Sequence, residues 1–295
     1  MKIVYPQSSK KSTTNVHLLS IYLLAILIIL TLVAQSTLAK SSESDVMRIG
    51  KKWTGDFDGM VERRLIRVLV TYNKTNYFLD NGAQRGATYE ALTAFEKQIN
   101  EKLKNKHLQL HVAFIPVTRD NLIPALIEGR GDVAAASLTI TPEREQQVDF
   151  TDPLATGVRE VVVASPNAPT LNSIDDLSDK EIHVRKTSSY FESLSRLNQE
   201  FKKAGKKPVN VKEASELLES EDLLEMVNAG LLPMIVVDDY LAGFWSQIFT
   251  DMFIYNDIYV NEGAEIAWMV RKNSPKLITA LNEFIKDNKK GTLFG

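Results

Sequence analysis

The sequence contains no cysteine, which removes disulfides, thiolate metal sites and cysteine nucleophiles together. It has little net charge: 35 Lys and Arg stand against 37 Asp and Glu, so no basic surface suggests a nucleic-acid partner. Histidine is scarce as well. The four histidines (His17, His107, His111 and His183) form no cluster; His107 and His111 straddle a turn and a strand, which argues against a metal site. What remains, 44% hydrophobic and 24% charged residues, is ordinary for a globular chain of this length.

One long apolar run is present. Lys2, Lys10 and Lys11 precede residues 18–34, interrupted only by Ser20 and Thr31, and Thr37-Leu38-Ala39 follows with small residues suited to signal peptidase. Residues 1–39 are therefore expected to be a signal peptide, or an uncleaved N-terminal membrane anchor, with the remainder exported to the periplasm. Residues 40–60 are polar and without period, and read as a tether in which Trp53-Thr54-Gly55-Asp56 could pack on a domain surface.

From Leu65 the chain alternates strand and helix. Leu65–Val70 is a buried strand, 71–86 a loop, and 87–103 a helix with Leu92, Phe95, Ile99 and Leu103 on one face. A strand at 108–114, a short helix at 120–128 and a strand at 132–137 follow. Such alternation implies right-handed crossovers and parallel sheets. After Pro153 the pattern restarts: strands at 158–164, 181–184, 209–211 and 234–237 alternate with helices from Ser189, Ser220 and Asp239 (the last running to Phe249). A final strand, 265–270, precedes a closing helix from Ser274-Pro275.

The most informative stretch is 131–153, GDVAAASLTITPEREQQVDFTDP. A strand of small and β-branched residues leads through Leu138-Thr139-Ile140 into a helical turn. Thr141 suits the N-cap, Pro142 the first helical position and Glu143 the positive dipole end. Thr139 and Arg144 thus fall just past the carboxyl end of a strand, where open α/β sheets bind ligands.

This string resembles the signature of periplasmic solute-binding proteins of the polar amino-acid type, family 3. The resemblance implies an α/β, two-lobed periplasmic-binding-protein fold of type II. Each lobe would be a mainly parallel sheet flanked by helices, and two crossover strands would join them. Lobe 1 would span 61–160, lobe 2 161–262, and 263–295 would return to lobe 1.

By the same resemblance the cleft holds an amino acid. Arg144 would take its α-carboxylate as a fork, Thr139 would add a hydroxyl, and the backbone of Ser137 would meet the α-amino group. Ser188 and Ser189, at a second-lobe helix start, would cap the carboxylate, and Asp238 would pair with the ammonium. Asp238 could instead cap the following helix, a role open also to Asp239. Tyr77 and Phe78 fall where the family places an aromatic against the ligand side chain, with core packing as the alternative. Arg119 replaces an aromatic common in the family and would suit an extra carboxylate or a larger anion, or be a surface charge. The glycine usual before the second-lobe threonine or serine is Thr187 here. Micromolar affinity needs about 8 kcal/mol and a charged hydrogen bond gives about 1.5–3, so both lobes must engage.

Asn76-Tyr77-Phe78-Leu79-Asp80, Arg85-Gly86, Tyr89-Glu90, Ser188-Ser189-Tyr190 and Gly291-Thr292-Leu293 further resemble the N-terminal module of the membrane-bound lytic murein transglycosylase F family. There the module regulates a following peptidoglycan-cleaving domain, whose catalytic glutamate lies in an E-S-x motif expected beyond Gly295. Glu192-Ser193 sits inside a binding-module helix and is assigned no catalysis.

The expected function is an extracytoplasmic solute-binding protein for uptake or sensing, not an enzyme and without cofactor or metal. One alternative is the regulatory half of a transglycosylase F, sensing amino acids or muropeptides. The other is a dehydratase of the same fold, disfavoured by a cleft read as one acid and two arginines. Expected partners are a small-molecule ligand and a permease or a peptidoglycan-cleaving domain, the protein itself being monomeric.

Overall fold

The computed structural model describes residues 49–104 and 108–288. The expected signal segment and Gly291-Thr292-Leu293 lie outside the described residues; among those described, no helix is long and apolar enough to cross a membrane. By contacts the chain divides into Met1–Lys51 and Lys52–Gly295, and the architecture below is that of the second unit.

Among the described residues eleven strands run in chain order: β1 Leu65–Val70, β2 Phe78–Asp80, β3 Ala83–Arg85, β4 His111–Pro116, β5 Val133–Thr139, β6 Val148–Phe150, β7 Ala155–Ala164, β8 Glu181–Arg185, β9 Asn210–Ala214, β10 Met234–Asp238 and β11 Phe253–Arg271. One mixed sheet joins them in the order β4-β1-β5-β11-β7-β10-β8-β9, with β6 on β11 and the β2–β3 hairpin apart. In the first lobe β4, β1 and β5 are parallel; in the second β10, β8 and β9 are parallel. The long antiparallel pair β7–β11 belongs to both lobes. Phe253–Tyr255 pair with Ala164–Val162 in the second lobe, while Ile266–Val270 pair with β5 in the first. These are the two crossover strands that the fold class requires.

The helices are α1 Phe57–Arg63, α2 Ala87–Leu103, α3 Leu122–Ile127, α4 Pro142–Glu145, α5 Ser189–Lys203, α6 Ser220–Asn228, α7 Asp239–Trp245 and α8 Pro275–Asn288. They cover both faces of each lobe, which is why the central strands are apolar throughout rather than alternating. Leu92, Phe95, Trp268 and Phe284 fill one face of the first-lobe sheet, and Leu122, Leu126 and Met269 the other. In the second lobe Val184 and Val236 of the sheet cluster with Leu194 of α5 on one face, while Val237 clusters with Leu224 of α6 and Trp245 of α7 on the other.

Several boundaries differ from those read in the sequence. The loop 71–86 contains the β2–β3 hairpin. The expected helix from Asp120 opens as a 3-10 turn over Arg119–Asn121. The helix from Asp239 stops at Trp245, short of Phe249. The last strand begins twelve residues before the expected Glu265, because β-pairing with β7 continues across the hinge.

The region read as a tether is built into the first lobe from Trp53 onward. Its anchor is Asp132, fully buried, which accepts from the backbone NH of Arg67 at 2.8 Å. The same carboxylate pairs with Arg67 at 3.0 Å, with Arg271 at 3.4 Å and with Arg63. The arginines also donate to the carbonyls of Trp53 (3.2 Å) and Gly55 (3.3 Å), and the Arg63 guanidinium stacks 3.7 Å above the Trp53 ring. Gly129 lets the strap approach. At φ 74°, its missing Cβ would lie 2.5 Å from the Trp53 carbonyl oxygen, which accounts for a glycine after α3 beyond helix termination alone.

Candidate ligand-binding cleft

The carboxyl ends of β1, β5, β8 and β10 and the starts of α5 and α6 converge between the lobes. They enclose a cavity of about 30 Å³, room for one or two water molecules. Arg119, Ser137, Thr139, Arg144, Ser188, Ser189 and Asp238, all expected from the sequence, line it together. Tyr77 and Phe78 do not. Tyr77 is 5% exposed and stacks on Phe114 (centroids 5.5 Å apart) in the first-lobe core, its hydroxyl donating to Gln84; Phe78 belongs to the β2–β3 hairpin. An aromatic that fills a core gap cannot also pave the cleft, so the core-packing alternative describes Tyr77 better.

Ser137 sits at a bulge. Its φ is 50°, and the β5–β11 register slips between Ala267 and Met269. The bulge turns the Ala136 carbonyl toward Arg119, which donates to it at 3.0 Å, and sets the Ser137 hydroxyl 3.1 Å from the Asn76 amide oxygen. Arg144 is 9% exposed and carried by α4, whose N-cap Thr141 accepts from the Arg144 NH. Its guanidinium donates to the Thr139 carbonyl at 2.8 Å and, across the cleft, to the Thr187 carbonyl at 2.9 Å. Burial holds its pKa below the usual arginine value. Ser188 is the N-cap of α5, so its hydroxyl is committed to the Phe191 NH and the Arg185 carbonyl. The Ser189 hydroxyl meets that of Thr139 at 3.1 Å from the opposite lobe.

Asp238 is 2% exposed, and its side chain makes no cap bond to α7; the Tyr240 NH bonds Asp239 instead, at 2.9 Å. Asp239 therefore takes the capping work and Asp238 is left facing the cavity with one carboxyl oxygen unpartnered. Burial, reinforced by Glu160 opposite it on β7, raises its pKa to about 7. Glu160 is itself fully buried, with its pKa raised by burial and neither oxygen in hydrogen-bond geometry. The Tyr240 hydroxyl lies beside Ser137 and Asp238, although the residue as a whole is 40% exposed.

The lobes touch. Arg119 of the first meets Glu219 of the second at 2.5 Å, and the Thr75 NH and hydroxyl reach Glu221 at 3.0 and 2.5 Å. Burial opposes the charge on both Arg119 and Glu219, but each outweighs the penalty for the other: Arg119 is raised and Glu219 lowered, with Arg185 adding to the latter. The surface-charge alternative for Arg119 does not hold, because its side chain is 12% exposed.

The cleft is richer in charge than the expected one acid and two arginines. Arg185, Glu219 and Glu221 also line it, and Glu160 stands behind Asp238. Two of these had visible signals. Glu160 is an acid inside the apolar run VREVVVA, and Arg185 closes the strand EIHVR at a ligand-bearing strand end. Glu219 was obscured by Ser220, which reads as the cap of α6; the cap position belongs to Glu219, in a reciprocal box with Asp222. Among the described residues no group of His, Asp and Glu could hold a metal ion.

A two-lobed α/β unit with a polar cleft at the strand ends defines a type II periplasmic binding protein. The profile of bacterial extracellular solute-binding proteins, family 3, matches residues 66–293, and the chain belongs to that family. It is 27% identical over 236 residues to a membrane-bound lytic murein transglycosylase F of Pseudomonas fluorescens, covering 79% of this chain and 45% of the relative. To the protein of that name from Desulfosudis oleivorans it is 26% identical over 230 residues, covering 78% and 46%. The chain thus spans about half the length of the curated relatives it matches. An ancestral arginine-binding protein bound to arginine superposes with a TM-score of 0.62 at 25% identity, covering 79% of this chain and 95% of that one. An ancestral amino-acid-binding protein described as a precursor of cyclohexadienyl dehydratase gives 0.62 at 25% identity, covering 80% and 94%.

Proposed function

We propose that this protein is an extracytoplasmic solute-binding protein of the periplasm that closes on a small zwitterionic ligand such as an amino acid, for uptake or sensing. One observation carries the reading: Arg144 and Asp238, of opposite sign and from opposite lobes, line the same cavity, and neither has an ion-pair partner among the described residues. Burying two lone charges is costly, and a zwitterion lying between them answers both. Closure follows, because a ligand that touches both lobes favours the closed state by its differential affinity. The amino-acid-binding neighbours support the ligand class. The cavity of about 30 Å³ is far below the roughly 300 Å³ and above of ligand pockets, so the lobes part to admit a ligand.

The transglycosylase F relatives support a second reading, in which the module regulates cell-wall cleavage in response to amino acids or muropeptides. The objection to the dehydratase alternative weakens, since Glu219 and Glu221 line the cleft beside Asp238, but the family of binding proteins still favours a non-catalytic module.

A thermal-shift panel of the proteinogenic amino acids, prephenate and a muropeptide separates these readings. A ligand at about 100 times its Kd adds about 2.7 kcal/mol, or roughly 5–10 °C in Tm for a unit of this size. An amino acid giving such a shift supports the first reading, and a muropeptide alone the second. Turnover of prephenate would replace both with the enzyme.

A further inference from the structure

Arg144 is not the only buried cation in the cleft without a carboxylate of its own. Arg185 is 3% exposed and donates to the Leu218 carbonyl at 2.7 Å and the Ser220 hydroxyl at 3.4 Å. Its Nε is buried without a hydrogen-bond partner, and it lines the cavity. Arg119 stands on the other lobe, and the only carboxylate at ion-pair distance from it among the described residues is Glu219. Glu219 comes from the same protein and sits in the fields of both arginines.

We propose that Arg119 and Arg185 form a second anion subsite, held in this closed state by Glu219, and that the ligand is an amino dicarboxylate whose second acid group takes Glu219's place. This rests on the amino-acid reading of the cleft and specifies its ligand.

Three observations converge on it. The charge at Arg144 and Asp238 already accounts for the α-carboxylate and ammonium of an amino acid, so Arg185 is a cation in excess of what a neutral side chain needs. Glu219 already seats a carboxylate at this place: it accepts from Arg119, while its reciprocal box with Asp222, whose carboxylate accepts from the Glu219 NH at 2.8 Å, ties it to the start of α6. It also has somewhere to go. Glu219 is the common wall between the polar cavity and an open groove of about 530 Å³ bounded by Tyr72, Thr118, Glu216 and Leu217, so a turn of its side chain moves the carboxylate from one to the other. The guanidiniums it would leave are planar forks suited to a carboxylate in its place.

The test is calorimetric titration of the whole protein with L-glutamate, L-aspartate and their amides, beside Arg185→Met and Glu219→Gln. The dipeptide γ-D-glutamyl-meso-diaminopimelate is titrated alongside, to separate a free amino dicarboxylate from one carried by a cell-wall peptide. The expected result is at least tenfold tighter binding of the acid than of its amide by the wild type. That ratio falls to near one in Arg185→Met, and affinity for the acid rises at least fivefold in Glu219→Gln, where the internal competitor has lost its charge. Dipeptide binding with the same dependence on both variants upholds the subsite and assigns its source to the peptide. Equal or tighter binding of the amides by the wild type overturns the proposal, as does a glutamate affinity unchanged in Glu219→Gln. The wild-type ratio and Glu219→Gln decide the matter even where Arg185→Met does not fold. If glutamine binds with dependence on Arg144 and glutamate does not, the amino-acid reading stands and only the second subsite falls; if no amino acid binds, both fall together.

Discussion

Glu219, on the second lobe, lies 2.5 Å from Arg119 on the first, and both side chains are nearly buried, at 7% and 12% exposure. In this structure the cleft is therefore closed on an ion pair of the protein's own. Removing one member of such a pair costs about 3–5 kcal/mol when the other stays buried, but here the lobes can part and return Arg119 to water. Glu219→Gln is expected to open the ligand-free protein rather than unfold it. Small-angle scattering checks this: the radius of gyration without ligand should rise in the variant, and an unchanged curve would show that the pair does not hold the lobes.

A pH dependence follows from Asp238. Its folded pKa of about 7 lies above the ordinary aspartate value of about 3.9. The folded state therefore binds the proton more tightly, and this contribution to stability is complete below about pH 4 and is lost as pH rises through 7. Glu160, also raised, acts in the same direction; Glu219, lowered, acts oppositely, its contribution being lost as acid protonates it. Thermal denaturation of the ligand-free protein should give a lower Tm at pH 8 than at pH 6, and Asp238→Asn should flatten that slope.

The same carboxyl must ionise to meet an ammonium. Affinity for an amino acid should therefore improve from pH 6 to pH 8, with proton release on binding. Calorimetry in two buffers of different ionisation enthalpy measures that release. No proton exchange at pH 6.5 would place the ligand's ammonium elsewhere.

Far from the cleft, Asp132 holds Arg63, Arg67 and Arg271 together beneath the Trp53 strap. Asp132→Asn leaves three guanidiniums around a neutral amide and should cost about 3–5 kcal/mol. Ligand affinity of the folded fraction should change little, since the cluster is at the opposite strand ends from the cleft. Chemical denaturation and titration of one sample separate the two effects.

The fold was legible because its period was. Apolar strands such as Leu65–Val70 and Met234–Val237, alternating with amphipathic helices, leave few topologies, and the string from Gly131 to Pro153 carries the cleft of one of them. The first-lobe half of the site was legible for the same reason: Thr139 and Arg144 sit on a local motif whose cap and proline fix their direction. The other half depends on contacts between residues about a hundred apart. Arg119 and Glu219 become neighbours only when β7 and β11 bring the lobes together, and Glu160 and Asp238 only when β10 pairs with β7, and no local pattern encodes either. Tyr77 illustrates the converse, because a sequence position beside the cleft does not say which way a ring turns, and here the core gained it. The packing of Trp53-Thr54-Gly55-Asp56 on the domain was open to the sequence, but its mode of attachment was not, because it uses backbone carbonyls, which have no sequence signature.

The central claim is that the cleft holds a zwitterion between Arg144 and Asp238. Calorimetric titration of the tightest amino acid found in the panel, against wild type, Arg144→Ala and Asp238→Asn, tests it most directly. Each charged hydrogen bond contributes about 1.5–3 kcal/mol, so the account predicts at least about a hundredfold weaker binding for Arg144→Ala, and a loss of the pH dependence together with weaker binding for Asp238→Asn. Wild-type affinity in either variant would contradict it.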